Sequence, residues 1–257
     1  TGDSQPAKLV ELWQIVLLAL TGVIAGWLNV MAGGGSLLTV PVMLFMDLPG
    51  PVANGTNRIA ILAQNITAVY AFFRKGFSDF KLSLTLSLAA SVGAAGGAMV
   101  GVRLEGVWFE RVLALVMLAV MLVMAMGNGK SKTAEIGGEP KRLLLGHLCM
   151  VGAGFWGGFI QIGVGFILMP ILHKVMGLDL VRVNMYKVFV VLTYTIVALA
   201  IFASQLELMW WAGIGLAVGN SIGGWYGAHT TVARGEVWIK RVMYLALSAF
   251  IVKLLFF

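Results

Sequence analysis

Charge is what this chain has least of. Only 11% of its 257 residues are Asp, Glu, Lys or Arg, against about 25% in a soluble globular domain. The shortage excludes an ordinary soluble fold. Cysteine is nearly absent too. Cys149 stands alone, so no intramolecular disulfide can form. Acidic residues number 11 against 18 basic ones. Those near the apolar runs, such as Glu11, Asp47, Asp79, Glu105, Glu207 and Glu236, fall near run ends, which argues against a carboxylate proton relay at depth. The three histidines, His147, His173 and His229, lack metal-ligand spacing. No Ser/His/Asp or paired-carboxylate set marks a catalytic centre. We expect no enzyme, no metal and no cofactor.

What is present is apolar. The hydrophobic fraction is 60% and the mean hydropathy +0.93. Runs of 18 or more apolar residues without alternation argue for membrane helices and against a barrel. The net charge of +7 lies in short loops between these runs, as the positive-inside rule predicts, so the bilayer is the expected partner and nucleic acid is not. The chain begins at Thr1 without methionine, and its first residues are expected to be a processing or expression remnant. Leu9–Val30 is too long for a signal-peptide core.

Two of the apolar runs are interrupted. Leu9–Met46 is broken at Ala32-Gly33-Gly34-Gly35-Ser36 and restarts into Pro41. Leu143–Met176 is broken at Gln161-Ile162-Gly163-Val164-Gly165 and restarts into Pro170. Backbone loosened by glycine at membrane depth is tolerated only when buried in protein or lining a wet cavity. Paired breaks of this kind point to a transporter's binding site. Ser36 is expected to cap a new helix. The restarted helices offer free N–H groups and the positive end of a dipole, which suit an anion.

The halves repeat. Pro41 is answered by Pro170, Asn54 by Asn184, and Trp108 and Arg111 by Trp238 and Arg241, all at nearly one spacing. Gly93, Gly97 and Gly101 are answered by Gly219, Gly223 and Gly227 at a slightly shorter one. These glycine rows are small-xxx-small ridges for close helix contact. A shared order makes this a duplication. We expect an all-α polytopic fold of two repeats, residues 1–127 and 143–257, joined by a cytoplasmic linker, 128–142. Each repeat would hold a Gly-broken, re-entrant-like helix pair and three further spans, roughly Ile59–Phe73, Leu82–Val102 and Trp108–Met126, then Val188–Ala203, Leu208–Gly227 and Trp238–Phe257. An odd number of crossings per repeat splits the 18 basic residues 13 to 5 between the faces; an even number splits them 9 to 9. The first arrangement obeys the positive-inside rule, makes the repeats inverted and puts both termini outside.

The candidate substrate contacts are Gly33, Gly34, Gly35, Ser36, Gln161, Gly163 and Gly165 at the breaks. Asn54, Thr56, Asn57 and Arg58 join them at the start of the third helix, with Asn184, Tyr186 and Lys187 at its repeat. Buried amides either line a pathway or tie helices together. Arg58 and Lys187 suit two roles equally, neutralising an anion or snorkelling to the interface.

Gly33-Gly34-Gly35 with Pro41, and Ala53-Asn54-Gly55-Thr56-Asn57-Arg58, resemble the sulfite exporter TauE/SafE family of bacterial inner-membrane transporters, as do Gly163, Gly165 and Pro170. The resemblance spans both repeats. Val183-Asn184-Met185-Tyr186-Lys187 departs from it, because the second Gly-Thr pair is missing. The resemblance implies transport, mostly outward, of sulfite, sulfonates or related anions, and it alone supplies the sulfur. An anion channel using the same site is the rival from another class; an intramembrane enzyme and a substrate-free scaffold are weaker ones. The sequence admits a homo-oligomer without requiring one.

Overall fold

The computed structural model describes residues 11–104, 106–109, 111, 112, 114, 115 and 138–256. Most of the expected linker and of the Trp108–Met126 segment lies outside these. The described residues form helices and turns and no strand. In order they are α1 (Leu12–Ala32), α2 (Ser36–Phe45), α3 (Gly50–Arg74), α4 (Phe80–Gly101), α5 (Leu143–Phe159), α6 (Val164–Pro170), a π-helical turn (Ile171–Val175), α7 (Leu180–Gln205) and α8 (Trp210–Phe256). The described residues of 106–115 are helical as well. Among the described residues three helices, α1, α4 and α7, are long and apolar enough to cross a membrane.

Local chemistry sets the ends. Gly33, at φ +85°, closes α1 and bonds back to Asn29 and Leu28. Asp79 caps α4 through Leu82 N, and Asp179 caps α7 through Val181 N and Arg182 N. Pro51 sits in the first turn of α3, where its missing N–H costs nothing. Pro170 ends α6, and the backbone widens there into the π turn.

Two expectations are corrected. Ser36 does not cap α2: Gly35 holds that position, and the Ser36 hydroxyl accepts from Asn57 instead. Leu208–Gly227 and Trp238–Phe257 are not separate segments. α8 runs 47 residues without a break, about 70 Å at helical rise, so Glu236 lies well inside a helix. The first half breaks at the matching place because Gly106 takes φ +57°. By the spacing that relates Trp238 to Trp108, the second half has Glu236 at that position. A left-handed turn is costly for a residue of that type.

Packing joins the halves crosswise. α1 lies chiefly on α8, and α5 on α4; α3 packs on α8, and α7 on α4. The glycine rows make these contacts close. A Cβ on Gly93 or Gly97 would enter the α5 backbone at Val151 or Phe155, and one on Gly219 or Gly223 would enter the α1 backbone at Ala19 or Val23. The outward faces are apolar: Leu12, Val16, Leu20 and Ile24 on α1, Leu84, Leu88 and Val92 on α4, and Leu144 and Leu148 on α5 are exposed. The polar side chains lie within. Arg58, Asn54, Asn57, Thr56, Asn184 and Lys187 are all at most 3% exposed, the reverse of a soluble protein.

Candidate functional site at the meeting of two helix breaks

The two glycine breaks touch. A Cβ on Gly33 would sit in the backbone of Gly165, and a Cβ on Gly165 in that of Gly33. Only glycine permits this approach, and Gly33 needs its positive φ as well. Gly34 lies under the Phe166 ring, and Gly35 packs back on Ala25 and Asn29 of α1. Gly163, at φ +71°, caps α6. Gln161 is left-handed too, at φ +64°, strain of a kind that gathers at functional sites when the surroundings enforce it.

Two buried cations hold the broken helices. Arg58 of α3 donates to Gly157 O at 2.9 Å, Gly158 O at 2.5 Å and Gln161 Oε1 at 3.2 Å. Asn54 Nδ2 donates to Phe159 O at 2.8 Å. The Phe202 ring lies 4.5 Å from the guanidinium carbon. Lys187 of α7 donates to Asn29 O at 3.1 Å, Val30 O at 2.7 Å and Asn184 Oδ1 at 2.8 Å. Each cation thus caps the carbonyl end of the other half's broken helix, where the dipole is negative. Gly157 and Gly158 follow Asn29 and Val30 at close to the spacing that relates Pro170 to Pro41, so the two clamps correspond. Both side chains are buried, at 0% and 3% exposure, which rules out snorkelling and removes them from the surface charge that faces either leaflet. Their described partners are carbonyls, amides and a ring, with no carboxylate.

The remaining predicted residues divide. Asn57 Nδ2 donates to Ser36 Oγ at 3.2 Å, and its Oδ1 accepts from Thr39 at 2.7 Å, tying α3 to α2. Thr56 Oγ1 accepts from Met209 N at 3.1 Å, beside the start of α8. Tyr186 donates to Asp79 at 2.6 Å, beside the start of α4. Asn184 Nδ2 reaches Thr231 Oγ1 at 3.4 Å. Gln161, Gly165 and Lys187 instead border one cavity of about 10 Å³, with Asn29, Asn65 and Val191, room for about one water. Asn29 and Asn65 complete this wall. In the sequence Asn29 precedes the first break, and Asn65 lies one to two turns deeper in the third helix than Arg58; both are amides in apolar runs. Asn220 of α8 is a further buried amide that sequence reading passes over. It is 1% exposed, and neither of its polar atoms has a hydrogen-bond partner among the described residues.

The model of the sulfite exporter TauE/SafE family matches residues 18–254. The chain belongs to that family. It is similar to a probable membrane transporter protein of Haemophilus influenzae, 24% identical over 231 residues and covering 88% of each chain. It is 23% identical over 242 residues to a probable membrane transporter protein of a Sinorhizobium species, covering 94% of this chain and 92% of that one. The probable membrane transporter protein YfcA of Escherichia coli is 23% identical over 246 residues, 93% of this chain and 89% of its own. No solved structure matches. With its apolar helices, this membership makes the chain a multi-pass membrane protein and indicates a transporter of the TauE/SafE type.

Proposed function

We propose that the protein is a secondary transporter of small anions, sulfite or an organosulfonate, acting as an exporter in a bacterial inner membrane. The observation that carries this reading is the cavity where the breaks meet. Lys187 supplies a buried positive charge, Gln161, Asn29 and Asn65 supply amides, and Gly165 brings backbone close. A buried cation without a carboxylate is costly in low dielectric, and a bound anion would offset that cost. The sulfur chemistry comes from the family's name alone.

The reciprocal contacts support two inverted repeats. The start of α3 meets the turn after α7 through Thr56 and Met209, and the start of α7 meets the turn after α3 through Tyr186 and Asp79. Those contacts fit α3 and α7 running antiparallel. A cavity that takes one water must widen for an oxyanion of four heavy atoms, and rocking of one repeat against the other would widen it.

The test is counter-flow in proteoliposomes. Labelled sulfite should enter vesicles loaded with unlabelled sulfite along a saturable curve, faster than it enters empty ones. Flux that rises linearly, with a large unitary conductance, would make the protein a channel. No flux of any sulfur oxyanion would overturn the reading.

A further inference from the structure

The two hydrogen bonds that join α3 and α7 to the opposite turns are symmetric in place and unequal in strength. Tyr186 follows Thr56, and Met209 follows Asp79, at the spacing that relates Asn184 to Asn54. At one end a neutral backbone N–H reaches a neutral hydroxyl, Met209 N to Thr56 Oγ1 at 3.1 Å. At the other a phenol donates to a carboxylate, Tyr186 to Asp79 at 2.6 Å. Arg182 stands over the Tyr186 ring, its guanidinium 3.4 Å from the phenol oxygen, and also donates to Gly138 O at 2.7 Å. Hydrogen bonds with an ionised partner are roughly twice as strong as neutral ones.

The turn that carries Asp79 is joined to α3 through a left-handed glycine. Gly76 is left-handed at φ +80°, with open space where a Cβ would be. Beyond it the turn is held by ring contacts, Phe77 on Phe72 and Phe80 against Phe73 and Phe189. A cavity of about 20 Å³ lies beneath, bordered by Phe72, Phe77, Asp79, Ser83 and Met185. Met185 and Phe189 of α7 share this cavity, so the turn and α7 are not fully packed against each other there.

We propose that Asp79, Tyr186 and Arg182 form a gate latch, the stronger of a pseudo-symmetric pair, and that Thr56 with Met209 is its weaker counterpart. The protein therefore favours the state closed at the Asp79 end and opens more readily at the Met209 end. Tyr186 acts by holding the gate and touches no substrate. This inference rests on the rocking mechanism above.

The test is thiol accessibility, read with no anion added. Val191→Cys places a reporter on the wall of the central cavity in a Cys149→Ser background, and a charged, impermeant methanethiosulfonate is offered to right-side-out and inside-out vesicles. Lys75→Cys, on the exposed end of the Asp79 turn, identifies which face is which. Tyr186→Phe removes only the hydroxyl and Asp79→Asn only the charge. Each should raise labelling from the Asp79 face on the order of tenfold, as expected for losing a hydrogen bond to a charged group, without raising it from the other face. Thr56→Val should raise labelling from the opposite face by a smaller factor. Unchanged rates in both Asp79-end variants, or equal rises on both faces, would overturn the latch. So would failure of both conservative variants to yield monodisperse protein, since the bond would then hold the fold together. Because no anion is present, the latch can stand while the anion reading falls.

Discussion

The Arg58 and Lys187 clamps do one job with different chemistry. Both put a cation on two consecutive carbonyls at the end of a broken helix, at matching places in the two halves. The guanidinium is spread over four carbonyl and amide oxygens and covered by Phe202, and it reaches the cavity only through its partner Gln161. The ammonium satisfies three acceptors and borders that cavity. A planar fork suits permanent bonding to fixed oxygens, while a compact ammonium on a flexible stem can trade one acceptor for another. On the reading proposed above, the Arg58 side holds structure and the Lys187 side meets the ligand. The loss of the Gly-Thr pair falls on the Lys187 side as well, with Met185-Tyr186 standing there.

The largest expected effect separates the clamps by stability. Arg58→Met leaves the Gly157 and Gly158 carbonyls uncapped in apolar surroundings and should destabilise the protein by about 3 kcal/mol or more, read as a lower Tm in detergent. A Tm matching wild type would erase the distinction. Next, Lys187→Met should leave Tm closer to wild type than Arg58→Met does: it too uncaps two helix carbonyls, but it also relieves the burial of an ammonium, which is more strongly hydrated than a guanidinium. The same variant should weaken anion binding by about 2 kcal/mol, roughly thirtyfold in Kd by calorimetry. Gly97→Ala and Gly223→Ala test whether the halves are alike away from the clamps. Each forces a Cβ into a facing helix backbone, at about 2 kcal/mol, and unequal losses would break the correspondence. Smallest is Gly152→Ala on the outer face of α5, where nothing lies within 4 Å of the added methyl. It should raise stability by at most about 1 kcal/mol.

The broken helices, the glycine ridges and the polar starts of α3 and α7 were readable from spacing, because glycine and proline write backbone requirements directly into sequence. Spacing shows which residues correspond and says nothing about which residues touch. Arg58 thus read as a surface charge or an anion ligand, although three of its four hydrogen-bond partners lie 99 to 103 residues away in the other half. Ser36 read as a cap because its type and position allow it, and the choice was made by Asn57 across the fold. The continuity of α8 turned on one residue, Glu236 where the first half has Gly106, too small a signal against two matching apolar runs. Thr56 and Tyr186 read as ligand contacts, and both hydroxyls are taken by turns of the opposite half.

The measurement that most directly tests the account is a thermal-shift panel on wild type and Lys187→Met in detergent. Sulfite, thiosulfate, sulfate, several sulfonates, chloride and matched carboxylates would be compared across concentration. A ligand that binds the folded state raises Tm by an amount that grows with its concentration over its Kd. A rising Tm is expected with one class of sulfur oxyanion in wild type, and in Lys187→Met the same rise only at about thirtyfold higher concentration. A flat response to every anion, or an equal shift in both proteins, would contradict an anion site at Lys187 where the helix breaks meet.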